Sequence, residues 1–440
     1  MRNLFTGFGM QWYVIAYNVL IDLLRNPSTV IAIVAFIGLV LQRKTINEII
    51  SGTLRAFLSV IILIIGALAV VNALAGLDTI FGYAYGFRGI YEYEEVAIGY
   101  AMARLGAEIG GILGLGFFIH LIIVRIIPTK YKAFKQVFLT GHHLWLYAGF
   151  LALILYGAGI TGWQAIIIGG IMAGITYTIV QAAVWPFIEK VTDGRWGFAH
   201  GQWFGIIIAG LTAKYLGNPE QDTEKIKLPA SIEFLKQPAL IAAIIMVIVW
   251  IAAVLSVPAE WFYETFNPGM NRFVWAIIQG MWFGAGVEVI LTGVRMLIGE
   301  ILPAFKGISD KLIPESIPGL DCPTIYPLAP VSLMLGVLIM SIMSIVWTFV
   351  QISLGLSVVV LPSAIVMFFV GASTGVVANK HGGLRGVIIA SIVASIYWMW
   401  GPLLSWYIYP YEALNLPSIA MWFDPMILLW WLLLRPFAIS

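Results

Sequence analysis

The chain has 440 residues, of which 61% are hydrophobic and only 10% are charged. A soluble domain carries about 25% charged residues, so this composition excludes a soluble protein and indicates a helical membrane protein. The formal net charge of +2 gives no indication of nucleic-acid binding, and the single cysteine excludes both an intrachain disulfide and a zinc site built on several thiolates. We expect no metal site and no other cofactor.

Apolar runs recur along the whole sequence. A helix needs about 20 predominantly apolar residues to cross a bilayer, and many of the runs reach that length. The sequence therefore predicts an all-α polytopic membrane protein with about eleven spans. In chain order the spans are expected at 28–42, 46–75, 98–127, 137–158, 161–188, 238–256, 272–303, 329–353, 356–378, 384–408 and 418–436, with a short span or hairpin at 198–216.

Basic residues predict the orientation of these spans. Lys130, Lys132 and Lys135 lie between the third and fourth spans, and further lysines lie in 217–237, which is the longest polar stretch. Loops rich in Lys and Arg stay on the cytoplasmic side. The first 27 residues lack the cleavage site of a signal peptide, so we expect them to be retained. We expect a multi-pass protein of the plasma membrane in which 217–237 is a cytoplasmic linker.

The sequence contains an internal repeat. The stretch "LLRNPSTVIAIVAFI" (23–37) matches "FLKQPALIAAIIMVI" (234–248), and further along Gly66 corresponds to Gly293. By the charge rule, the two matching first spans run in opposite directions. An inverted repeat of this kind is typical of secondary transporters, whose substrate site lies near the membrane midplane where the repeats meet.

This repeat divides the chain into three parts. We predict a first half at 1–216, the cytoplasmic linker at 217–237 and a second half at 238–440. A core domain and a scaffold domain would each take helices from both halves.

The stretch "IPESIPGLDCPTIYPLAP" (313–330) breaks the helical pattern between two long apolar runs. Its five prolines disfavour a continuous helix, and an ionisable residue at membrane depth is a functional candidate by default. Asp321 is therefore the first candidate for binding a substrate. The interval between Gly66 and Gly293 takes Asp321 back to Glu94, so Glu94 and Glu95 are candidates as well.

Two further stretches carry polar side chains at the starts of predicted spans. "TGHHLW" contains His142 and His143, and we expect only one of them, His142, to face the site because adjacent helical residues point about 100° apart. "VTDGRWGFAHGQWFG" (191–205) contributes His200 and Gln202. Neutral imidazoles and amides are good partners for sugar hydroxyls. The alternative for each residue is a structural hydrogen bond at a helix end or an exposed loop.

The stretch 293–330, "GVRMLIGEILPAFKGISDKLIPESIPGLDCPTIYPLAP", resembles the corresponding segment of the ascorbate-specific membrane subunit, enzyme IIC, of the bacterial phosphotransferase system. Four other segments resemble the same family in the same order: "LTGHHLWLYAG" (139–149), "VTDGRWGFAHGQWF" (191–204), "KLPASIEF" (227–234) and "GVVANKHGGLRG" (375–386). The resemblance implies a homodimer of eleven-span protomers that moves its core domain like an elevator. It also implies sugar contacts by His142, His200 and Asp321.

Three features depart from the family pattern. Leu146 and Gly201 stand where the family has an amide side chain, and Glu94 and Glu95 stand where it has a Thr–Tyr pair. Two acids close to an anion such as ascorbate are unfavourable unless they are protonated or lie off the site. The substrate therefore stays open between ascorbate, another sugar acid and a neutral sugar or polyol.

The resemblance implies that this chain is a permease and not an enzyme. Phosphoryl transfer would come from separate cytoplasmic IIB and IIA proteins. One alternative is an ion-coupled or facilitative sugar or organic-acid transporter of the same fold, in which Glu94, Glu95 and Asp321 carry protons. A second is a membrane enzyme acting on lipids, which the inverted repeat disfavours.

Overall fold

The structure is a computed structural model, and it confirms an all-α polytopic membrane protein. It describes residues 19, 27–74, 76–85, 89–92, 94–226, 237–356, 358–362, 364–409, 411, 419–420 and 423–435. The helices in this part of the chain are α1 (Pro27–Leu41), α2 (Ile46–Leu74), α3 (Leu77–Tyr85), α4 (Glu94–Ile126), α5 (Gly141–Gly157), α6 (Gly162–Thr192), α7 (Trp203–Leu216), α8 (Pro238–Leu255), α9 (Ala259–Phe266), α10 (Arg272–Lys311), α11 (Pro330–Ser353), α12 (Ala364–Ile408) and α13 (Pro425–Leu434).

Six of the described helices, α2, α4, α6, α10, α11 and α12, are long and apolar enough to cross a membrane. The pair α8 and α9 makes a seventh if it is counted as one span bent by 113°. Several predicted starts are confirmed within one residue, because Pro27, Pro238 and Pro330 open α1, α8 and α11. Proline fits the first helical position, where its missing N–H has no intrahelical partner. The total of eleven spans stays a prediction.

Two predicted boundaries are wrong. The span expected to end at residue 303 continues as α10 to Lys311, with Pro303 inside the helix. The side chain of Gln42, which follows α1 directly, donates to the carbonyl oxygens of Pro303 and Ala304 at 2.9 and 3.1 Å and so connects the end of α1 to this part of α10. The span expected to begin at residue 356 begins at Ala364, whereas the predicted break before residue 384 is confirmed, because α12 consists of two helices that meet at a kink at Gly383.

The short strands form two small parallel sheets. The strands are β1 (Gly89–Glu92), β2 (Gln136–Phe138), β3 (Gly197–Phe198), β4 (Ile317–Leu320), β5 (Val359–Val360) and β6 (Ile419–Ala420). In one sheet β1 lies between β5 and β6, and in the other β4 lies between β2 and β3. Each sheet thus takes its central strand from one side of the 217–237 segment and both outer strands from the other side.

The long helices pack in pairs around these sheets. α10 packs along α2, α8 and α1, whereas α4 packs along α6, and α12 packs along α11 and α7. One buried polar tether fixes the β2–β4–β3 sheet to this framework. His120 on α4 accepts a hydrogen bond from the Phe138 N–H at 3.0 Å and contacts the Thr178 hydroxyl on α6 at 2.8 Å. The sheet therefore sits in a fixed position between α4 and α6.

Residues 217–226 dock onto the kink of α12. Asn218 donates its N–H to the carbonyl of Gly382 at 2.7 Å, and Leu384 donates to the carbonyl of Gln221 at 2.7 Å. The carboxylate of Glu224 accepts from the backbone N–H of Ser332 at 2.9 Å, so it caps the first turn of α11. We call residues 217–226 the docking loop. Residues 227–236 of the predicted linker lie outside the described residues.

Candidate functional site

Three chain segments meet at the carboxyl ends of the β2–β4–β3 sheet. The register pairs Phe138 with Gly319 and Phe198 with Leu320. Because the strands are parallel, the residues that follow them emerge at the same edge. Asp321 follows β4 directly, His200 follows β3 by two residues, and α5 begins three residues after β2. The sheet therefore gathers the sequence-predicted candidates from distant parts of the chain.

Asp321 occupies the N-cap of a 3-10 helix, Cys322–Leu328. Its Oδ1 accepts the Cys322 N–H at 2.7 Å, and its main-chain carbonyl accepts the Thr324 hydroxyl at 2.6 Å. These bonds fix the carboxylate in one orientation, as the capping interpretation predicts. They leave Oδ2, and part of the acceptor capacity of Oδ1, directed towards the histidines.

Two histidines face this carboxylate. His200 Nε2 lies 3.4 Å from Asp321 Oδ1, and His142 Nε2 lies 3.6 Å from Asp321 Oδ2. The side chain of His200 is 9% exposed and that of His142 is 36% exposed, so His142 forms the open side of the group. Within the described part of the chain, no Lys or Arg forms an ion pair with Asp321. Both predicted histidines therefore lie within 4 Å of the same predicted carboxylate.

His143 belongs to the same group, and the expectation that only one of the adjacent histidines would face the site is wrong. The ring centroids of His143 and His200 are 3.6 Å apart, and those of His142 and His143 are 4.4 Å apart. The two side chains do diverge on α5, but the loop before α7 brings His200 against His143 from the second side. We refer to His142, His143, His200 and Asp321 as the His–Asp cluster.

Backbone hydrogen bonds assign the tautomers of the two buried histidines. The Gly201 N–H donates to His143 Nδ1 at 3.3 Å, and the Gln202 N–H donates to His200 Nδ1 at 3.1 Å. A ring nitrogen that accepts a hydrogen bond carries no hydrogen, so each neutral ring has its hydrogen on Nε2. His200 therefore directs an N–H donor at Asp321.

Gln202 lies next to this cluster and has a buried acceptor without a partner. Its amide nitrogen is 4.0 Å from the sulfur of Cys322, while its Oε1 atom is buried and makes no hydrogen bond in the described part of the chain. Cys322 is itself buried, and the hydroxyl of Tyr326 donates to its sulfur at 3.3 Å. The Oε1 atom of Gln202 is therefore an acceptor available beside the polar cluster.

The side chains of Glu94 and Glu95 lie outside the described residues. The backbone places Glu94 at the start of α4, two residues after β1. Asp321 likewise follows β4, and both β1 and β4 are central strands of a parallel sheet. Whether either glutamate contacts a substrate therefore stays a prediction.

The His–Asp cluster has the residue types of a metal site but the wrong hydrogen bonds for one. One potential ligand atom from each of the four residues lies within 4.8 Å of the others. A metal-ligating histidine normally donates its second ring N–H to an acceptor. Here the second ring nitrogens of His143 and His200 face backbone N–H donors, so a metal on Nε2 would force N–H against N–H. The arrangement fits a set of hydrogen-bond donors better than a metal centre.

One buried acid, Asp424, was not predicted from the sequence. It precedes α13, is fully buried and accepts hydrogen bonds from side chains on α5 and α7. The signal was present in the sequence as an aspartate immediately before Pro425 at the start of an apolar run.

Comparison with known proteins identifies the family of the chain. A family profile described as "PTS system sugar-specific permease component" matches residues 22–420. The curated "Ascorbate-specific PTS system EIIC component" of Mycoplasma pneumoniae is 25% identical to 87% of this chain, and the chain spans 65% of that relative's length. The chain therefore belongs to the family of sugar-specific permease components of the phosphotransferase system, and it is a multi-pass protein of the plasma membrane.

Proposed function

We propose that this chain is the IIC permease subunit of a phosphotransferase-type transporter and that it binds ascorbate or a related sugar or sugar acid at the His–Asp cluster. The observation that carries the proposal is the approach of His142 and His200 to Asp321 at 3.6 and 3.4 Å at the common edge of three strands. A carboxylate beside N–H donors can accept one sugar hydroxyl and donate to another.

The site offers both partners that a hydroxylated ligand needs. Asp321 and the Oε1 atom of Gln202 are acceptors, and the Nε2–H groups of His143 and His200 are donors. Helices α5 and α7 both begin at the cluster, so the positive ends of their dipoles lie there. This favours a ligand with partial or full negative charge. This combination supports a sugar, polyol or sugar acid over an apolar substrate.

We infer that the two halves form an inverted repeat with a core and a scaffold domain. The exchange of strands between the halves, with β1 between β5 and β6 and β4 between β2 and β3, supports a pseudo-twofold relation. In that arrangement eleven spans, a homodimer and an elevator-type movement of the core follow from the family resemblance. Glu94 would then be the counterpart of Asp321 in the other half.

Phosphorylation of the sugar would require separate cytoplasmic IIB and IIA partners. The one cysteine, Cys322, is 1% exposed and lies behind Asp321, where a soluble phosphoryl donor does not reach its sulfur. In the proposed mechanism Asp321 accepts hydrogen bonds from the sugar hydroxyls and His142 and His200 orient the ring. The phosphoryl group would be added on the cytoplasmic side after release.

Equilibrium binding to the purified chain tests the site. L-Ascorbate and a panel of neutral sugars, polyols and sugar acids would be measured on wild type, Asp321→Asn and the control Glu220→Gln, which changes an exposed acid of the docking loop. We expect Asp321→Asn to weaken the ligand that binds by about tenfold or more, since it removes a charged acceptor. Unchanged affinity for every ligand would refute the site.

The alternative is a transporter of the same fold driven by ions. The chain of ionisable groups in the His–Asp cluster could carry a proton with the substrate. Vesicles containing the chain decide between the two: sugar phosphate formed only with added IIB and a phosphoryl donor supports the permease, whereas accumulation of unmodified sugar driven by a proton gradient alone supports the ion-coupled transporter.

A further inference from the structure

A second buried carboxylate, Asp424, connects the two segments that carry the histidines. Its Oδ2 atom accepts the Tyr147 hydroxyl at 2.9 Å and the indole N–H of Trp203 at 2.8 Å. Its Oδ1 atom accepts the N–H groups of Met426 and Ile427 at 2.8 and 3.1 Å. One carboxylate thus joins α5, α7 and the start of α13 through four hydrogen bonds.

The two side chains that donate to Asp424, Tyr147 and Trp203, lie close along the chain to residues of the His–Asp cluster. Tyr147 is four residues after His143 on α5, so both lie on the same face of that helix. Trp203 opens α7 directly after Gln202, whose N–H donates to His200 Nδ1. A shift of α5 against α7 would therefore change both the Asp424 bonds and the separation of His143 from His200.

The remaining contacts fix Asp424 to a third element. The main-chain carbonyl of Asp424 accepts the Tyr409 hydroxyl at 3.2 Å, and that of Phe423 accepts the Tyr397 hydroxyl. Both tyrosines belong to the last part of α12 or to the residue following it. The carboxylate is consequently held by its own backbone and is not free to follow α5 or α7.

We propose that Asp424 is a positioning residue of the sugar site, which ties α5 to α7 so that His143 stays packed against His200 and His200 stays directed at Asp321. This inference rests on the proposed function of the His–Asp cluster. A simple helix cap would need only the two backbone bonds. The two bonds from Tyr147 and Trp203 are the part that the cap does not require.

The substitution Asp424→Asn distinguishes the capping of α13 from the bonds that Tyr147 and Trp203 make to Asp424. Asparagine caps helices as well as aspartate, so its oxygen keeps the backbone bonds of α13. Its NH₂ group then faces two donors. The Tyr147 hydroxyl can rotate and accept, but the Trp203 indole has only a donor to offer. The variant therefore places N–H against N–H at the junction with α7.

Removal of the Trp203 indole N–H from the Asp424→Asn variant should restore the junction between α5 and α7. In the double variant Asp424→Asn with Trp203→Phe, the opposing N–H is absent and the junction can close again. Trp430→Phe is the control, because Trp430 on the same helix α13 donates to Thr176 on α6 and not to either segment of the cluster. Trp203→Phe and Trp430→Phe remove the same indole atoms, so Trp430→Phe also reports what the loss of packing alone does.

Two readouts on the full-length chain decide the proposal. L-Ascorbate binding is measured at equilibrium, and the histidine ring signals of ¹³C,¹⁵N-histidine-labelled protein are recorded without ligand. We expect Asp424→Asn to weaken ascorbate binding by about tenfold, which is the loss of roughly one charged hydrogen bond, and to shift the His143 and His200 signals. The double variant should recover most of the ascorbate affinity and most of the wild-type histidine signals. Trp430→Phe should change neither the affinity nor the signals.

Wild-type histidine signals in Asp424→Asn would overturn the proposal, as would a double variant as perturbed as the single one. Where Asp424→Asn does not fold, Trp203→Phe alone decides, since it leaves the cap and the Tyr147 bond intact: shifted His200 signals support the tie, and unchanged signals overturn it. If ascorbate affinity is also unaffected by Asp321→Asn, the sugar site itself is wrong, and the ligand-free histidine signals still test whether Asp424 positions the rings.

Discussion

The Nε2 atom of His200 faces Oδ1 of Asp321 at 3.4 Å, while Nδ1 of the same ring accepts the backbone N–H of Gln202 at 3.1 Å. The ring therefore links a main-chain donor on one side to a carboxylate on the other, with its single hydrogen on the carboxylate side. This arrangement makes the two nitrogens chemically different. Substitutions that mimic one nitrogen but not the other can separate their contributions.

Replacement of His200 by Gln and by Asn is expected to have unequal effects. The amide nitrogen of Gln extends to the position of Nε2 and can still donate towards Asp321, whereas the shorter Asn side chain reaches only the position of Nδ1. We expect His200→Asn to weaken sugar binding by about ten times more than His200→Gln, since it removes the N–H donor that faces the charged Asp321 and the bound sugar. Isothermal titration with the ligand found in the sugar panel measures the difference, and equal losses would contradict the assigned tautomer.

The docking loop predicts a dependence of stability on pH. Although partial burial opposes ionisation of Asp222, hydrogen bonds from the Asn379 amide and the Glu224 N–H, together with the charges of Lys225 and Lys380, lower its pKa below the usual 3.8. The folded protein therefore favours the ionised form. This stabilisation is complete above the unfolded-state pKa of 3.8 and is lost as the pH falls through the lower pKa of the folded state.

Melting curves in detergent at several pH values test this contribution. We expect the stability difference between wild type and Asp222→Asn to be constant above about pH 5 and to shrink as the pH falls below about 4. Glu220→Gln removes a neighbouring acid of the same loop and serves as the control. A difference that stays constant across the acidic range would show that the charge of Asp222 does not stabilise the fold.

The kink of α12 predicts a strong effect of a single methyl group. Gly383 has a φ of 57°, and a Cβ added there would overlap the carbonyl oxygens of Asn218 and Gln221 in the docking loop. Gly383→Ala should therefore lower stability by about 1–3 kcal/mol of backbone strain, because a φ of 57° with a ψ of −158° is open almost only to glycine, and further by the displacement of the loop. Gly355→Ala is the matched control, because Gly355 has a φ of 68° but open space around its Cβ.

Limited proteolysis and thermal melting distinguish the two contributions. The control should show the strain alone, with a small decrease in melting temperature. Gly383→Ala should show a larger decrease and faster cleavage between residues 217 and 226. Equal behaviour of the two alanine variants would mean that the loop does not pack on the kink.

Local signals in the sequence predicted the helices well because proline and polar residues mark their starts. Pro27, Pro238 and Pro330 open three helices within one residue of the predicted position. The course of α10 through Pro303 was not predicted, because proline usually ends a helix and nothing local in the sequence distinguishes a proline inside a helix from one at its end.

The candidate site was predictable in its residue types but not in its assembly. Asp321 and His200 were identified from a broken helical pattern and a polar loop, and they do lie together. The strands that bring them together have two to four residues each and pair over long distances, so neither periodicity nor turn signals indicated them. For the same reason His143 was assigned away from the cluster and Asp424 was not considered.

The central strand beneath the cluster gives the last prediction. A Cβ at Gly319 in β4 would overlap the side-chain amide of Gln181, whose nitrogen donates to the Tyr177 carbonyl at 2.9 Å. Gly319→Ala should therefore destabilise the protein by about 1–3 kcal/mol, as overpacking of a buried site does. It should also weaken sugar binding, because Asp321 lies two residues further along.

A second substitution tests whether the overlap is the cause. Gln181→Ala removes the colliding amide, so the double variant Gly319→Ala with Gln181→Ala should be more stable than the sum of the two single effects predicts. Gly299→Ala on α10 provides the reference, since a Cβ there meets nothing within 4 Å and alanine favours a helix over glycine. Thermal melting and ligand binding are measured on all four proteins. Strictly additive effects on stability would show that β4 moves to accommodate the methyl group. The close contact of Gly319 with Gln181 would then not be what holds Asp321 in place.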